Sequence, residues 1–219
     1  MAYQLHTFSG TPFGWRVQIT ALVKGVPLEI NWLTPAPDVL KGETFLELNP
    51  RGRVPALCHD DFVVYESTAI VEYLDALHPT PPLYGADVRQ AALIRQTVAE
   101  IECYLSLNIP TFAGNLFTGQ AKTAWDAIAQ AAQNALIEFD HYEHVLSNND
   151  YLVHDALSAA DIMLYPLFTV FCRASTHPDA TTLDIVSQLG TRYPRLTKWQ
   201  TRVEAIPNFQ TTIPPGYSD

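Results

Sequence analysis

Three prolines in four positions, Pro79, Pro81 and Pro82, divide this 219-residue chain into two stretches of different hydrophobic period. Proline fixes φ and offers no backbone donor, so residues 78–82 predict a stiff connector rather than a continued helix. Before it, strand-like and helix-like segments alternate; after it, the apolar spacing is helical throughout. The expected organisation is a first domain over residues 1–79, a linker over 80–87 and an all-helical domain over 88–219.

Gln4–Phe8 reads as a first strand, followed by the breaker run Ser9-Gly10-Thr11-Pro12. A helix is predicted from Phe13 or Gly14 to Lys24-Gly25, with Trp15, Ile19 and Leu22 among its apolar positions. Leu28–Leu33 alternates as a second strand, and after a Pro-rich loop a short helical turn ends at Leu48. Ala56–His59 and Phe62–Tyr65 flank Asp60-Asp61 as a hairpin. A helix with Ile70, Tyr73, Leu74 and Leu77 on one face follows, and Ser67 is placed to cap it. The order β-α-β, short α, β-β-α predicts a small mixed sheet with helices on its faces, an α/β thioredoxin-like arrangement. In the second half, Ile94, Val98, Ile101 and Leu105 mark one helix, and Trp125, Ile128, Ala132, Ala135, Phe139, Tyr142 and Leu146 another. Ser158 with Asp161 three residues on forms a capping box, and a last amphipathic helix over Tyr193–Ile206 stops at Pro207.

Composition narrows the function classes. With 47% hydrophobic and 16% charged residues the chain is a packed globular protein. A net charge of −10 argues against nucleic acid or an anionic membrane as a partner. No apolar run reaches the roughly 18–20 residues that a membrane span needs, and the first ten residues do not read as a signal peptide. Cys58, Cys103 and Cys172 are odd in number and far apart, which suits neither a disulfide framework nor a zinc site and points to a reducing cytoplasm. His141 and His144 have metal-ligand spacing but no third ligand nearby, so no metal is expected. The basic residues before the connector are Arg16, Lys24, Lys41, Arg51 and Arg53; four of the five fall at loops or helix starts, which suits an anionic ligand.

The stretch Asn49–Leu77 has its own chemistry. Val54-Pro55 opens a short strand after a Gly-containing loop and is a candidate cis peptide. That geometry would turn the Val54 backbone outward, where an extended peptide pairs like an added strand. The following helix start attracts a carboxylate, and Glu66 suits an ammonium group. Together they fit a small peptide carrying an α-amino and an α-carboxyl group.

The Asn-Pro-x-Gly-x-Val-Pro run (Asn49, Pro50, Gly52, Val54, Pro55) and the Glu-Ser-x-Ala-Ile run (Glu66, Ser67, Ala69, Ile70) resemble the glutathione-binding half of the glutathione transferase family. The Ser158–Asp161 element and the last helix extend the resemblance over essentially the whole chain. It implies a thioredoxin-like domain followed by an all-α domain, bound glutathione and a homodimer. By the same resemblance Glu66 and Ser67 hold the γ-glutamyl end, Val54 beside Pro55 pairs with the cysteinyl backbone, and Arg53 or Lys41 meets the glycyl carboxylate. Aligning Trp15-Arg16-Val17 with the Trp-Arg-Val of serine-type, zeta-like members puts Thr11 at their catalytic serine, with Ser9 as the rival hydroxyl. Phe13, Tyr104, Phe112 and Phe168 are the candidates to line an apolar substrate pocket.

A free thiol has a pKa near 8.5, and lowering it by two units takes about 2.7 kcal/mol of preferential thiolate stabilisation. One hydroxyl donor and the positive end of a helix supply that much. The expected activity is attack of the glutathione thiolate on a small hydrophobic electrophile. Two alternatives stay open: a glutathione-dependent isomerase, reductive lyase or dehalogenase, and a non-catalytic scaffold that kept the fold.

Overall fold

The computed structural model describes residues 3–217. They form two compact units, one from the segments up to Leu83 and from Ile206 onward, the other from Tyr84–Ala205.

In the first unit, β1 (Tyr3–Thr7) pairs in parallel with β2 (Leu28–Trp32) and antiparallel with β3 (Ala56–His59), which pairs antiparallel with β4 (Phe62–Tyr65). The sheet order is therefore β2-β1-β3-β4. The crossover between the parallel strands is α1 (Pro12–Lys24). Thr11 caps α1, Pro12 occupies its first turn, and Gly25 at φ 64 ends it by donating to the carbonyls of Ala21 and Leu22. Two short helices, α2 (Pro37–Leu40) and α3 (Glu43–Leu48), lead to the hairpin, and α4 (Ser67–Leu77) follows it. Leu5 and Leu57 from the sheet meet Val17 and Ala21 of α1 and Ile70 and Leu74 of α4 in one core. The mixed sheet and its flanking helices confirm the thioredoxin-like prediction.

Lys24 reaches the end of that core with its side chain wholly shielded from solvent. Its ammonium bonds the Asp75 carboxylate of α4 and the Pro81 carbonyl, while Asp75 Oδ1 also accepts the Leu83 N–H at 2.8 Å. A buried charge is tolerated where partners replace its water. Here those partners fasten the proline connector to both helices. Val54-Pro55 is cis, as expected, and so is Thr80-Pro81.

The second unit is helical: α5 (Val88–Tyr104), α6 (Asn108–Phe117), α7 (Trp125–Val145), α8 (Ala159–Ser175), α9 (Ile185–Arg192) and α10 (Pro194–Glu204). α8 is buried on almost every side. At its start Asp161 accepts from the backbone N–H and hydroxyl of Ser158, from the Leu152 N–H and from Trp199 Nε1, at 2.8–2.9 Å. Burial raises the pKa of this carboxyl, and the hydrogen bonds oppose that rise. Glu143 of α7 likewise accepts from the Arg195 and Leu196 N–H groups that open α10.

The C-terminal segment departs from the expected partition. Phe209–Thr212 forms a 3-10 turn that packs on α1, with Trp15 Nε1 donating to Thr212 Oγ1 at 3.2 Å. The last helix stops at Glu204, and the chain from Ile206 onward belongs to the first unit.

Asp161→Ala leaves four buried donors without their acceptor. The expected loss is about 4 kcal/mol, at about 1 kcal/mol or more per stranded donor. Urea unfolding followed by far-UV circular dichroism checks it.

Candidate functional site

The predicted glutathione-binding residues lie on three segments of the first unit, the loop before α1, the loop before β3 and the start of α4, with Lys41 apart from them at the end of α2. Asn49 organises the second of these from a buried position. Its Nδ2 donates to the Arg53 carbonyl at 2.6 Å, its Oδ1 accepts the Arg51 N–H at 3.0 Å, and its own carbonyl accepts the Gly52 N–H at 2.8 Å. Gly52 stands at φ 59, and a Cβ there would lie 2.5 Å from the Leu40 carbonyl oxygen. The loop thus holds a shape only glycine permits, with Arg51 and Arg53 exposed and Val54 just ahead of the β3 ladder, which begins at Ala56. Lys41, the other candidate for the glycyl carboxylate, has a partner within the protein. Its Nζ donates to the Arg51 carbonyl at 2.5 Å, so it braces the loop.

Ser67 is not the cap of α4. Glu66 holds that position with φ 70 and ψ 116, and Ser67 is the first helical residue. A positive φ outside glycine costs on the order of 1–3 kcal/mol and concentrates at functional sites. Glu66 projects into solvent with Arg51 Nε 3.9 Å from its carboxylate, a pair too exposed to hold either side chain firmly. Ser67 Oγ accepts from Arg16 Nη1 at 3.1 Å. The Arg16 guanidinium lies over the Phe13 ring at 5.0 Å, and the residue is completely buried. With its oxygen engaged by a cation, the Ser67 hydroxyl keeps its proton to donate. A carboxylate at this end of α4 would meet that proton, unpaired helical N–H groups and a guanidinium one bond behind. Sequence reading counted Arg16 among the local cations but missed this role; a cation flanked by Trp15 and Val17 was the available signal.

In the first loop Thr11 is buried, and its Oγ1 accepts the Phe13 N–H at 3.4 Å. Its own proton remains to be donated at the positive end of α1. The exposed Ser9 differs, since its hydroxyl donates to the Pro215 carbonyl. Burial raises the pKa of Cys58 and pushes that of Cys172 up to about 12, which makes these two thiols poor nucleophiles. The loop itself contains no cysteine, so a thiolate acting there is better supplied by a ligand.

The aromatic candidates separate. Phe13 is half-buried and Tyr104, in the other unit, is 54% exposed. Phe112 and Phe168 are core instead of pocket: Phe112 packs on Phe171 at 4.8 Å, and Phe168 on Phe139 at 5.1 Å. Helical spacing of aromatics says that a face is covered and leaves open whether protein or ligand covers it.

Known proteins match both units. Residues 5–82 match the family model of the glutathione S-transferase N-terminal domain, and residues 120–207 that of its C-terminal domain. Glutathione S-transferase 1 of Dianthus caryophyllus is 31% identical over 173 residues, 74% of this chain and 74% of that protein. Maleylacetoacetate isomerase of Rattus norvegicus is 29% identical over 171 residues, again 74% of each. The crystal structure of a glutathione S-transferase from the Antarctic clam Laternula elliptica has a TM-score of 0.77 at 25% identity, covering 100% of this chain and 95% of that one.

Gly52→Ala places a methyl against the Leu40 carbonyl at a φ that alanine disfavours. We expect a loss of about 1–3 kcal/mol and a lower midpoint in a thermal melt.

Proposed function

The chain belongs to the glutathione S-transferase family, and from that premise we propose that it binds glutathione in the first unit and activates its thiol through Thr11. The γ-glutamyl carboxylate takes the Ser67 hydroxyl and the N-terminus of α4, and Glu66 takes the ammonium. The backbone of Val54, next to Pro55, pairs with the cysteinyl residue, and Arg53 faces the glycyl carboxylate. The thiol proton passes to solvent, and the sulfur anion accepts from Thr11 Oγ1 beside the positive end of α1. The thiolate then forms a carbon–sulfur bond with a small apolar electrophile, which releases a leaving group or takes up a proton. The observation that supports this most is the division between the two hydroxyls: Thr11 keeps a proton to donate, while Ser9 donates its own to Pro215. We further propose that the protein works as a cytoplasmic homodimer.

A second reading returns glutathione unchanged after an isomerisation. The likeness to maleylacetoacetate isomerase favours it, and consumption of glutathione during turnover separates the two.

The absorbance of bound thiolate near 240 nm, followed against pH, tests the activation step. Wild type and Thr11→Ser should titrate about two units below free glutathione, and Thr11→Ala close to the free value, near 8.5. A depression lost in Ser9→Ala alone would move the role to Ser9; wild type without any depression would overturn the mechanism. Ser67→Ala should weaken glutathione binding about tenfold, as loss of a charge-assisted hydrogen bond does, with kcat little changed in steady-state kinetics.

A further inference from the structure

Ser9 and Gly10 stand between the end of β1 at Thr7 and the start of α1 at Pro12, both exposed, with Gly10 at φ 91. No side chain restrains Gly10 from within, since a Cβ built there meets nothing within 4 Å. Among the described residues, this pair is hydrogen-bonded from the far end of the sequence. Ser9 Oγ donates to the Pro215 carbonyl, and Tyr217 Oη donates to the Gly10 carbonyl at 3.3 Å. The Tyr217 ring meets Trp15 edge-on, with centroids 5.1 Å apart.

The segment that makes these contacts is itself braced. Phe209 is buried, and Thr212 accepts from Trp15 Nε1 while donating to the Phe209 carbonyl at 2.8 Å. Beyond this anchor the chain runs Pro214-Pro215-Gly216-Tyr217, with the Tyr217 N–H donating to the Pro214 carbonyl at 3.2 Å and Gly216 at φ 78. Proline at the second position and a positive-φ glycine at the third fit a type II turn. Prolines remove conformations the segment would otherwise lose on docking, so Tyr217 is presented to the loop at small entropic cost.

We propose that residues 209–217 are a latch on the Ser9–Thr11 loop, and that Ser9 and Tyr217 are positioning residues that hold Thr11 at the glutathione sulfur. This rests on the glutathione reading of the same loop. The latch gives Ser9 a task other than thiol activation. It also gives the C-terminal segment a part in the reaction without contact with substrate. With the latch removed, the Thr11 hydroxyl samples positions that do not reach the sulfur, and the thiolate loses part of its stabilisation.

The test compares wild type, Tyr217→Phe, Ser9→Ala and a variant terminated after Ile213, each checked for folding by circular dichroism. Amide hydrogen exchange is read without ligand, and the thiol titration with glutathione. In the terminated variant, exchange at Phe13, whose N–H donates to Thr11 Oγ1, should quicken about tenfold or more while residues 16–22 of α1 keep their protection. Its bound-thiol pKa should rise toward the free value, with glutathione affinity at pH 5.5, where the thiol stays protonated, within about twofold because Ser67 and the Val54 backbone are untouched. Tyr217→Phe keeps the ring on Trp15 and loses one bond, so it should fall between, as should Ser9→Ala, with Ser9→Thr restoring the wild-type titration. Unchanged Phe13 exchange and thiol pKa in the terminated variant would overturn the proposal. So would a gain in glutathione affinity or turnover, which would make the segment a cover. Failure of the transferase reading looks different: wild type would show no depressed thiol pKa, and the Phe13 exchange would still decide whether the latch exists.

Discussion

Helix α1 lies where it does because Gly14 presents no side chain to β1. A Cβ at that position would fall 2.0 Å from Thr7 Oγ1, so any larger residue would have to push the helix off the sheet. Three features of the site depend on this approach. Thr11 caps the helix and places a hydroxyl at its positive end. Arg16, one residue past Trp15, passes under the start of α4 to reach Ser67. Trp15 receives the C-terminal segment through Thr212 and Tyr217. Thr7 Oγ1 has no hydrogen-bond partner among the described residues, an energetic cost accepted where Gly14 lets the helix approach the strand.

Buried charge is handled in the same way in both units. Lys24 is held by Asp75 and the Pro81 carbonyl, Asp161 by four donors, and Glu143 by the N–H groups that open α10. Each ion lies against the end of a helix or a connector whose backbone groups have no partner of their own. Such an ion specifies where an element begins or is fastened, which apolar packing alone does not do. Arg16 belongs to this pattern with one difference: the group it orients, Ser67, faces a site for a ligand.

How far the sequence carried depended on what kind of signal a feature leaves. The hairpin strands fell on the two four-residue β-type runs that flank the Asp60-Asp61 turn, and the Ser158–Asp161 box is present as its spacing implied. The start of α4 was misread because capping rules weigh residue type. Ser67 is a good cap by type, yet a backbone at φ 70 gives the position to Glu66. Lys41 and Arg53 looked equivalent as exposed cations, and only the fold shows that the Lys41 ammonium is engaged by the Arg51 carbonyl. Phe112 and Phe168 had helical spacing whether they faced a ligand or each other's neighbours. The contact between residues 9–15 and 212–217 joins opposite ends of the chain, and no local pattern encodes it. The Pro-Pro-Gly-Tyr turn that makes it was legible in retrospect.

The central claim is that this site ionises the thiol of glutathione by donating to its sulfur from Thr11. Calorimetric titration with glutathione at pH 7, repeated in buffers of different ionisation enthalpy, counts the protons released on binding. A thiol pKa moved from about 8.5 to about 6.5 releases roughly 0.7 of a proton per glutathione at that pH. The account predicts that value for wild type and nearly none for Thr11→Val. Binding with no proton release in wild type, or the same release in Thr11→Val, would contradict it.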